Sequence, residues 1–379
     1  MNVDKNLTLI FRHFEQEHLG KDVFLVPYYL GKQLHCRVTI VYPKTVTNAH
    51  FPETIHGVRL VPLRMGKGIP LVRTWRFYFY LLKHARHIDL LIRFHYSLHT
   101  MLMIVIYKLL NSGGKVYVKL DKGSLSIEKA HHSERCLLRR MVSAALARCF
   151  IKNVDRVSCE TVQAYQLLKE SPLEKFRFGD KLVLIPNGFD EELLKSYKLK
   201  ERTFAEKENL IITVGRLGTP PKNTEMFLRA LECIDLGEWT VCLIGPIEKS
   251  FQPHIDTFFE RHPEKKNKII FTGPVYDKKE LWEYYNRAKV FVLTSSWESY
   301  GLVLNEAKRF RNYLVSTPVG AFADLADGDK YGRSIQIDDD SALSGILSDI
   351  IQNKKDIDVY QNLDTTYLSW ENMLKRLAL

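Results

Sequence analysis

The sequence predicts an α/β protein made of two βαβ series, each built on a parallel sheet. Three observations carry this. Short apolar runs of strand length recur, as at residues 36–42, 115–120, 209–214 and 289–296. Between them lie stretches of helical spacing, as at 97–110, 224–234 and 302–310. The alternation is interrupted once, by the charged stretch 191–209, which has no clear apolar period and reads as a linker. Strands that alternate with helices in this way indicate crossover connections and parallel pairing.

Taken in order, the first series opens with a strand at 8–14, followed by a helix start or loop at 21–29. Cys-Arg-Val-Thr-Ile-Val-Tyr at 36–42 is rich in β-branched residues and reads as a strand; 58–62 is a shorter one. A helix at 75–87 precedes the strand 88–95, and a helix at 97–110 precedes the strand 115–120. Residues 133–150 and 161–169 read as helices, and 156–159 and 181–185 as strands. Pro186-Asn187-Gly188-Phe189-Asp190 is a turn cluster. The second series has strands at 209–214, 239–244, 268–271, 289–296 and 313–316, and helices at 224–234, 254–262, 278–288, 302–310 and 341–353. The tail 360–379 has amphipathic spacing and reads as helical. The expected domains are 1–195, 196–355 and a C-terminal helix, 356–379, packing back on the first.

The 379 residues suffice for two domains, and 45% apolar content fits a globular chain without a membrane span. The start of the chain lacks the basic-then-apolar layout of a signal peptide. The six cysteines, Cys36, Cys136, Cys149, Cys159, Cys233 and Cys242, form no CxxC pair and read as reduced thiols of a cytosolic protein. The formal net charge of +11 favours an anionic partner. Part of the excess is concentrated in Arg64, Lys67, Arg73, Arg76, Lys83, Arg86 and Arg93, interleaved with Trp75, Phe77, Tyr78, Phe79 and Tyr80. A basic and aromatic helix of that kind suits an anionic membrane surface, although a core-packed helix with a solvated basic face has the same pattern.

The chemistry is expected where the strand 289–296 meets Trp297-Glu298-Ser299-Tyr300-Gly301 and the helix that follows. Glu298 falls in the loop and Glu306 about a turn into the helix, so both can face the crevice at the strand's carboxyl end. A helix start offers unpaired N–H groups to a phosphate, and ionised carboxylates accept from hydroxyls. Spacing alone is weak, because glutamates are common on helix surfaces. A second constellation strengthens it: Gly215 and Arg216 end the strand 209–214, and Lys222 follows. Glycine permits close backbone approach, and two cations there would hold a diphosphate and stabilise its departure.

These residues, with Pro186-Asn187-Gly188 and Phe271-Thr272-Gly273, resemble the retaining glycosyltransferases of family four, which have the GT-B fold. That resemblance implies two Rossmann-like domains facing across a cleft and transfer without a metal or other cofactor. It gives Arg216 and Lys222 to the nucleotide diphosphate, Glu298 to the donor sugar, and Glu306 to the ribose. Gly215, the backbone from Ser299 through Tyr300, Gly301 and Leu302, and Val275 complete the donor site, the last against the base. UDP and GDP stay open. The first domain departs from the family: residues 21–29 hold no glycine pair, and Asp121 or His95 is the candidate for contact with the transferred sugar. The acceptor would be a glycan or lipid-linked molecule of cell-surface polysaccharide or glycoconjugate synthesis, met from the cytoplasm at the inner face of the cell membrane. A nucleic-acid-binding protein, or a non-catalytic scaffold of a glycan assembly complex, is the alternative. No nucleic-acid-binding signature appears, and Arg216, Lys222, Glu298 and Glu306 are all present.

Overall fold

The computed structural model describes residues 5–65, 70–121, 137–173 and 176–379, without the side chains of 70–73 and 137–144. The chain divides into two compact units, 1–188 with 370–379, and 189–369.

The first unit contains β1 (Asn6–Ile10), β2 (Arg37–Pro43), β3 (Thr54–Ile55), β4 (Val58–Leu63), β5 (Leu90–Phe94), β6 (Lys115–Lys119), β7 (Arg156–Cys159) and β8 (Leu182–Leu184). They form one sheet in the order β3-β4-β2-β1-β5-β6-β7-β8. Every pairing is parallel except the short β3–β4 hairpin. The chain runs outward from β1 through β2 and β4, then returns to place β5 on the other side of β1. That reversal makes the carboxyl ends of β1 and β5 the sheet's crevice. Phe77, Leu81, Met103, Ile104, Tyr107 and Phe150 pack on the strands in one apolar cluster.

Where the sequence left residues 21–29 open, a helix runs over Asp22–Gln33 with Pro27 inside it. Its first residue, Asp22, reaches the fully buried Lys119 at 3.0 Å, and Lys119 also pairs with Glu160. Asn187 donates to Glu160 at 3.1 Å, so the Pro186-Asn187-Gly188 turn closes on the same buried charge cluster. Burial alone would lower the Lys119 pKa, but the two carboxylates reverse this and hold it above the ordinary lysine value.

The second unit has six strands, β9 (Glu208–Val214), β10 (Thr240–Ile244), β11 (Ile269–Gly273), β12 (Ala288–Leu293), β13 (Tyr313–Ser316) and β14 (Gly332–Ser334). Their order is β11-β10-β9-β12-β13-β14, with parallel pairing throughout. Here the reversal falls between β9 and β12. The buried strand residues Ile211, Val241, Leu243, Val290, Val292 and Val315 pack with Phe227, Leu231, Phe258 and Leu347 from the helices.

Two expectations need correction. Residues 191–209 are not a linker: Glu191–Tyr197 is a helix of the second unit, and Glu191 and Leu194 are buried. Their charges are matched by partners distant in sequence, which a period count does not register. The tail is not one helix. Thr365–Leu368 is a 3-10 turn, Ser369 is extended, and Trp370–Leu374 is a short helix of the first unit. Trp370 is buried against Gly188, where an added Cβ would lie 2.4 Å from the Trp370 Cα. The compact units meet in sequence at 188/189 and 369/370, against expected boundaries at 195/196 and 355/356.

Candidate functional site

The reversal in the second sheet sets the carboxyl ends of β9 and β12 side by side, and the two loops leaving them are joined. Thr294 donates to the carbonyls of Lys222 and Asn223 at 3.1 and 3.0 Å. The Ser296 amide donates to Pro221 at 2.9 Å. These bonds fix the Pro220–Lys222 turn against the end of β12. Lys222 then lies over Gly215, where an added Cβ would stand 3.3 Å from Lys222 Cε. Its ammonium pairs with the Glu298 carboxylate, and Ser295 Oγ donates to the same oxygen at 2.8 Å. The two side chains are 20% and 14% exposed, so water screens the pair less than a surface pair.

Glu298 is followed by half-buried Ser299, buried Tyr300 and Gly301. Gly301 has φ 80°, in the left-handed region, and caps the Leu302–Arg309 helix without a side-chain bond. The Ala321 amide holds the Tyr300 carbonyl at 2.8 Å. Glu306 projects from that helix and pairs with Lys278, and Trp282 Nε1 donates to it at 3.4 Å. The buried Tyr285 phenol is pushed well above its ordinary pKa by burial first and then by the Glu306 charge. Lys278 follows the half-buried Val275 by three residues, so the loop after β11 meets the helix that carries Glu306.

The structure therefore brings Lys222 to Glu298, and the Val275 loop to Glu306. Arg216 stands next to Gly215 with its side chain exposed, and no bond joins it to either glutamate. Sequence reasoning did not single out Lys278 or Ser295. Ser295 had a signal, three residues before Glu298 at a strand end; Lys278 had none, because its pairing spans 28 residues. Asp338-Asp339-Asp340 leads into the helix after β14. Asp339 caps the Asp340–Ile351 helix at the Ala342 amide, 2.8 Å, and Asp340 meets Arg229 at 3.0 Å. A separate groove lined by Glu225, Arg229, His254 and Arg261 shares no residue with the Lys222–Glu298 constellation.

In the first unit, the two acceptor-side candidates bond to each other. His95 has φ 66°, and its Nδ1 lies 2.5 Å from Asp121 Oδ1. Burial would raise the Asp121 pKa, but the His95 bond and charge, with Lys119 behind, hold it below the usual carboxylate range. Residues 133–136, the start of an expected helix and the position of Cys136, lie outside the described residues, as does Lys67.

The helix expected at 75–87 runs over Pro70–His84 with a 3-10 turn behind it. Phe77 and Leu81 face the core, while Trp75, Phe79 and Leu82 are 46%, 58% and 60% exposed. One member of the proposed basic surface does not belong to it: Arg93 is 2% exposed inside β5, because strand alternation turns it toward the helices that cover the sheet.

Residues 196–364 match the family model described as glycosyl transferases group 1. The amylovoran biosynthesis glycosyltransferase AmsD of Erwinia amylovora is 24% identical over 176 residues, 41% of this chain and 48% of that one. The chain spans about half the length of the curated relatives it matches. Among solved structures, a glycosyltransferase from Rickettsia africae superposes with a TM-score of 0.71 at 14% identity, over 99% of this chain and 97% of that one. Anabaena HepE in complex with UDP superposes with a TM-score of 0.66 at 14% identity, over 98% and 95%. The α/β fold with two parallel Rossmann-like sheets is that of the GT-B glycosyltransferases.

Proposed function

We propose, from the match of residues 196–364 to the model of glycosyl transferases group 1, that the chain moves a sugar from a nucleotide-sugar donor to a glycan or lipid-linked acceptor, with retention at the anomeric carbon and without a metal. The pairing of Lys222 with Glu298 over Gly215, at the carboxyl ends of β9 and β12, is the observation that carries this reading.

In the proposed reaction, the bond from the anomeric carbon to the diphosphate oxygen breaks. A new bond forms to an acceptor hydroxyl, whose proton leaves with the diphosphate. Negative charge grows on the departing group, and Lys222 and Arg216 are the cations beside it. The backbone from Ser299 to Leu302 would offer N–H groups to the phosphates, and Glu298 would accept from the sugar hydroxyls. Glu306 would accept from the ribose, and Val275 would border the base. Asp121 with His95 would serve the transferred sugar or the acceptor.

The donor is found by a thermal-shift panel of UDP- and GDP-sugars, followed by acceptor tests with the best of them. One donor that raises the melting temperature at sub-millimolar concentration is the expected result, since binding to the folded state alone stabilises it by RT ln(1 + [L]/Kd). No shift with any nucleotide sugar would sink the reading.

We place the acceptor at an anionic membrane, at the cytoplasmic face. The exposed Trp75, Phe79 and Leu82, at one-turn and two-turn spacing beside Arg76 and Lys83, support this. Reversing Arg73, Arg76 and Lys83 to Glu is expected to lower binding to anionic liposomes at least ten-fold, at about 1 kcal/mol for each basic residue near the surface. Sedimentation of the variant with liposomes to the same extent as the parent would refute the membrane contact.

A further inference from the structure

We propose that the carboxyl edge of the first unit's sheet, where β1 and β5 adjoin, is an oxyanion site of phosphate class gripped by Arg12, Arg93 and His99. It shares no residue with the Lys222–Glu298 constellation, and its existence does not depend on the transfer reading.

Arg93 is the starting point. Among the described residues no carboxylate forms an ion pair with Arg93 or with Arg12. Arg93 Nη1 donates to the Ile10 carbonyl, while its Nε is buried without a partner. Bracing β1 against β5 thus uses one of five donors. The second orphan is His99, in the first turn of the Leu98–Leu110 helix. Its Nδ1 lies 2.7 Å from the Tyr78 hydroxyl, and its Nε2 is buried without a partner. With Tyr78 donating to Nδ1, the neutral ring carries its proton on Nε2 and presents a donor. Arg12, exposed just past β1, is near enough to act on Arg93, Tyr78 and His99.

A buried donor left unpaired costs on the order of 1–3 kcal/mol, and an unpaired buried charge more. Neutralisation is no escape for a guanidinium. The shifts run in the same direction: burial first, then the Arg93 and Arg12 charges, push His99 down to about 3. Burial, then Arg12, similarly pull Arg93 down to about 9 against the opposing effect of Tyr78. An anion with several acceptor oxygens relieves all of this at once. A guanidinium fork matches phosphate geometry, and the helix beginning at Leu98 adds a positive dipole end. The place also fits, because open α/β sheets bind ligands where the strand order reverses, and here that is β1 beside β5.

The test is titration of the full chain with inorganic pyrophosphate, followed by ring 15N–1H spectra of His99 at pH 7 and by calorimetry. Pyrophosphate is expected to shift the His99 Nε2–H resonance. Arg12→Gln should weaken that response at least ten-fold, and Lys222→Ala should leave it in place. Arg12 is exposed, so this variant folds even if Arg93→Gln does not. A His99 resonance that stays still at saturating pyrophosphate overturns the proposal. So does a response abolished by Lys222→Ala, which would put the anion in the second unit. Comparison with a short-chain prenyl diphosphate separates the sources: ten-fold tighter binding marks a lipid-borne headgroup, equal binding a free oxyanion, and either supports the site.

Discussion

Glu298→Ala is expected to lower glycosyl transfer by about 10²- to 10³-fold, the cost of removing one group aimed at charge that develops in a transition state. Lys222→Ala should cost as much, yet the two variants will part in ground-state binding. Glu298 occupies the Lys222 ammonium directly, so it competes with an incoming diphosphate for that cation. Without Glu298, Lys222 still lies over Gly215 and is free for the phosphates; the nucleoside diphosphate alone should bind as tightly as before, or more tightly. Without Lys222, diphosphate affinity should fall about ten-fold or more, in line with the loss of a charge-assisted bond of roughly 1.5–3 kcal/mol. Calorimetry with UDP and GDP beside turnover measurement tests both halves. Both side chains lie at a loop rather than in the core, so the variants should melt near the parent. Unchanged turnover in both variants would end the assignment of this site.

The second unit's candidate site was legible in the sequence because its parts are local. Glu298, Gly301 and Glu306 come from one strand–loop–helix segment, and Gly215 with Lys222 from another. Each segment carries its own strand ending and its own turn residues. That β9 and β12 lie side by side follows from chain reversal, which the alternation of strands and helices permits but does not dictate. What escaped was everything set by partners far away in sequence. Arg93 looked like one more cation in a basic stretch, because a charge count cannot see that β5 turns it inward. Lys278 had no mark of its own until the fold set it against Glu306. Residues 191–209 looked like a linker for the same reason: their acidic side chains answer an arginine more than a hundred residues later.

That arginine carries the second large effect. Arg309→Met is expected to destabilise the second unit by about 3–5 kcal/mol, lowering its melting temperature on the order of 10 °C. Arg309 ends the helix that carries Glu306, and its side chain is only 2% exposed. Its guanidinium pairs with Glu191 through Nε and through Nη2, the latter at 3.0 Å, and with Glu201 at 2.9 and 2.8 Å. Arg311 reaches only Glu201, at 2.9 Å, so removal of Arg309 leaves Glu191 buried without a cation. Lysine would keep the charge and lose the fork, so Arg309→Lys should recover part of the loss. The effect has a pH signature. The Arg309 bond, against the opposing effect of burial, holds the Glu201 pKa below its ordinary value. A carboxylate with a depressed folded pKa stabilises fully above its unfolded value, near 4.3, and loses that contribution as pH falls through the folded one. The gap between parent and Arg309→Met should therefore be widest at neutral pH and close below about pH 4. A gap that holds constant from pH 7 to pH 3 would mean that packing against Phe189 and Phe310, and not charge, is what Arg309 supplies. Donor affinity should follow stability in the folded variant, because the same helix sets Glu306 against Lys278.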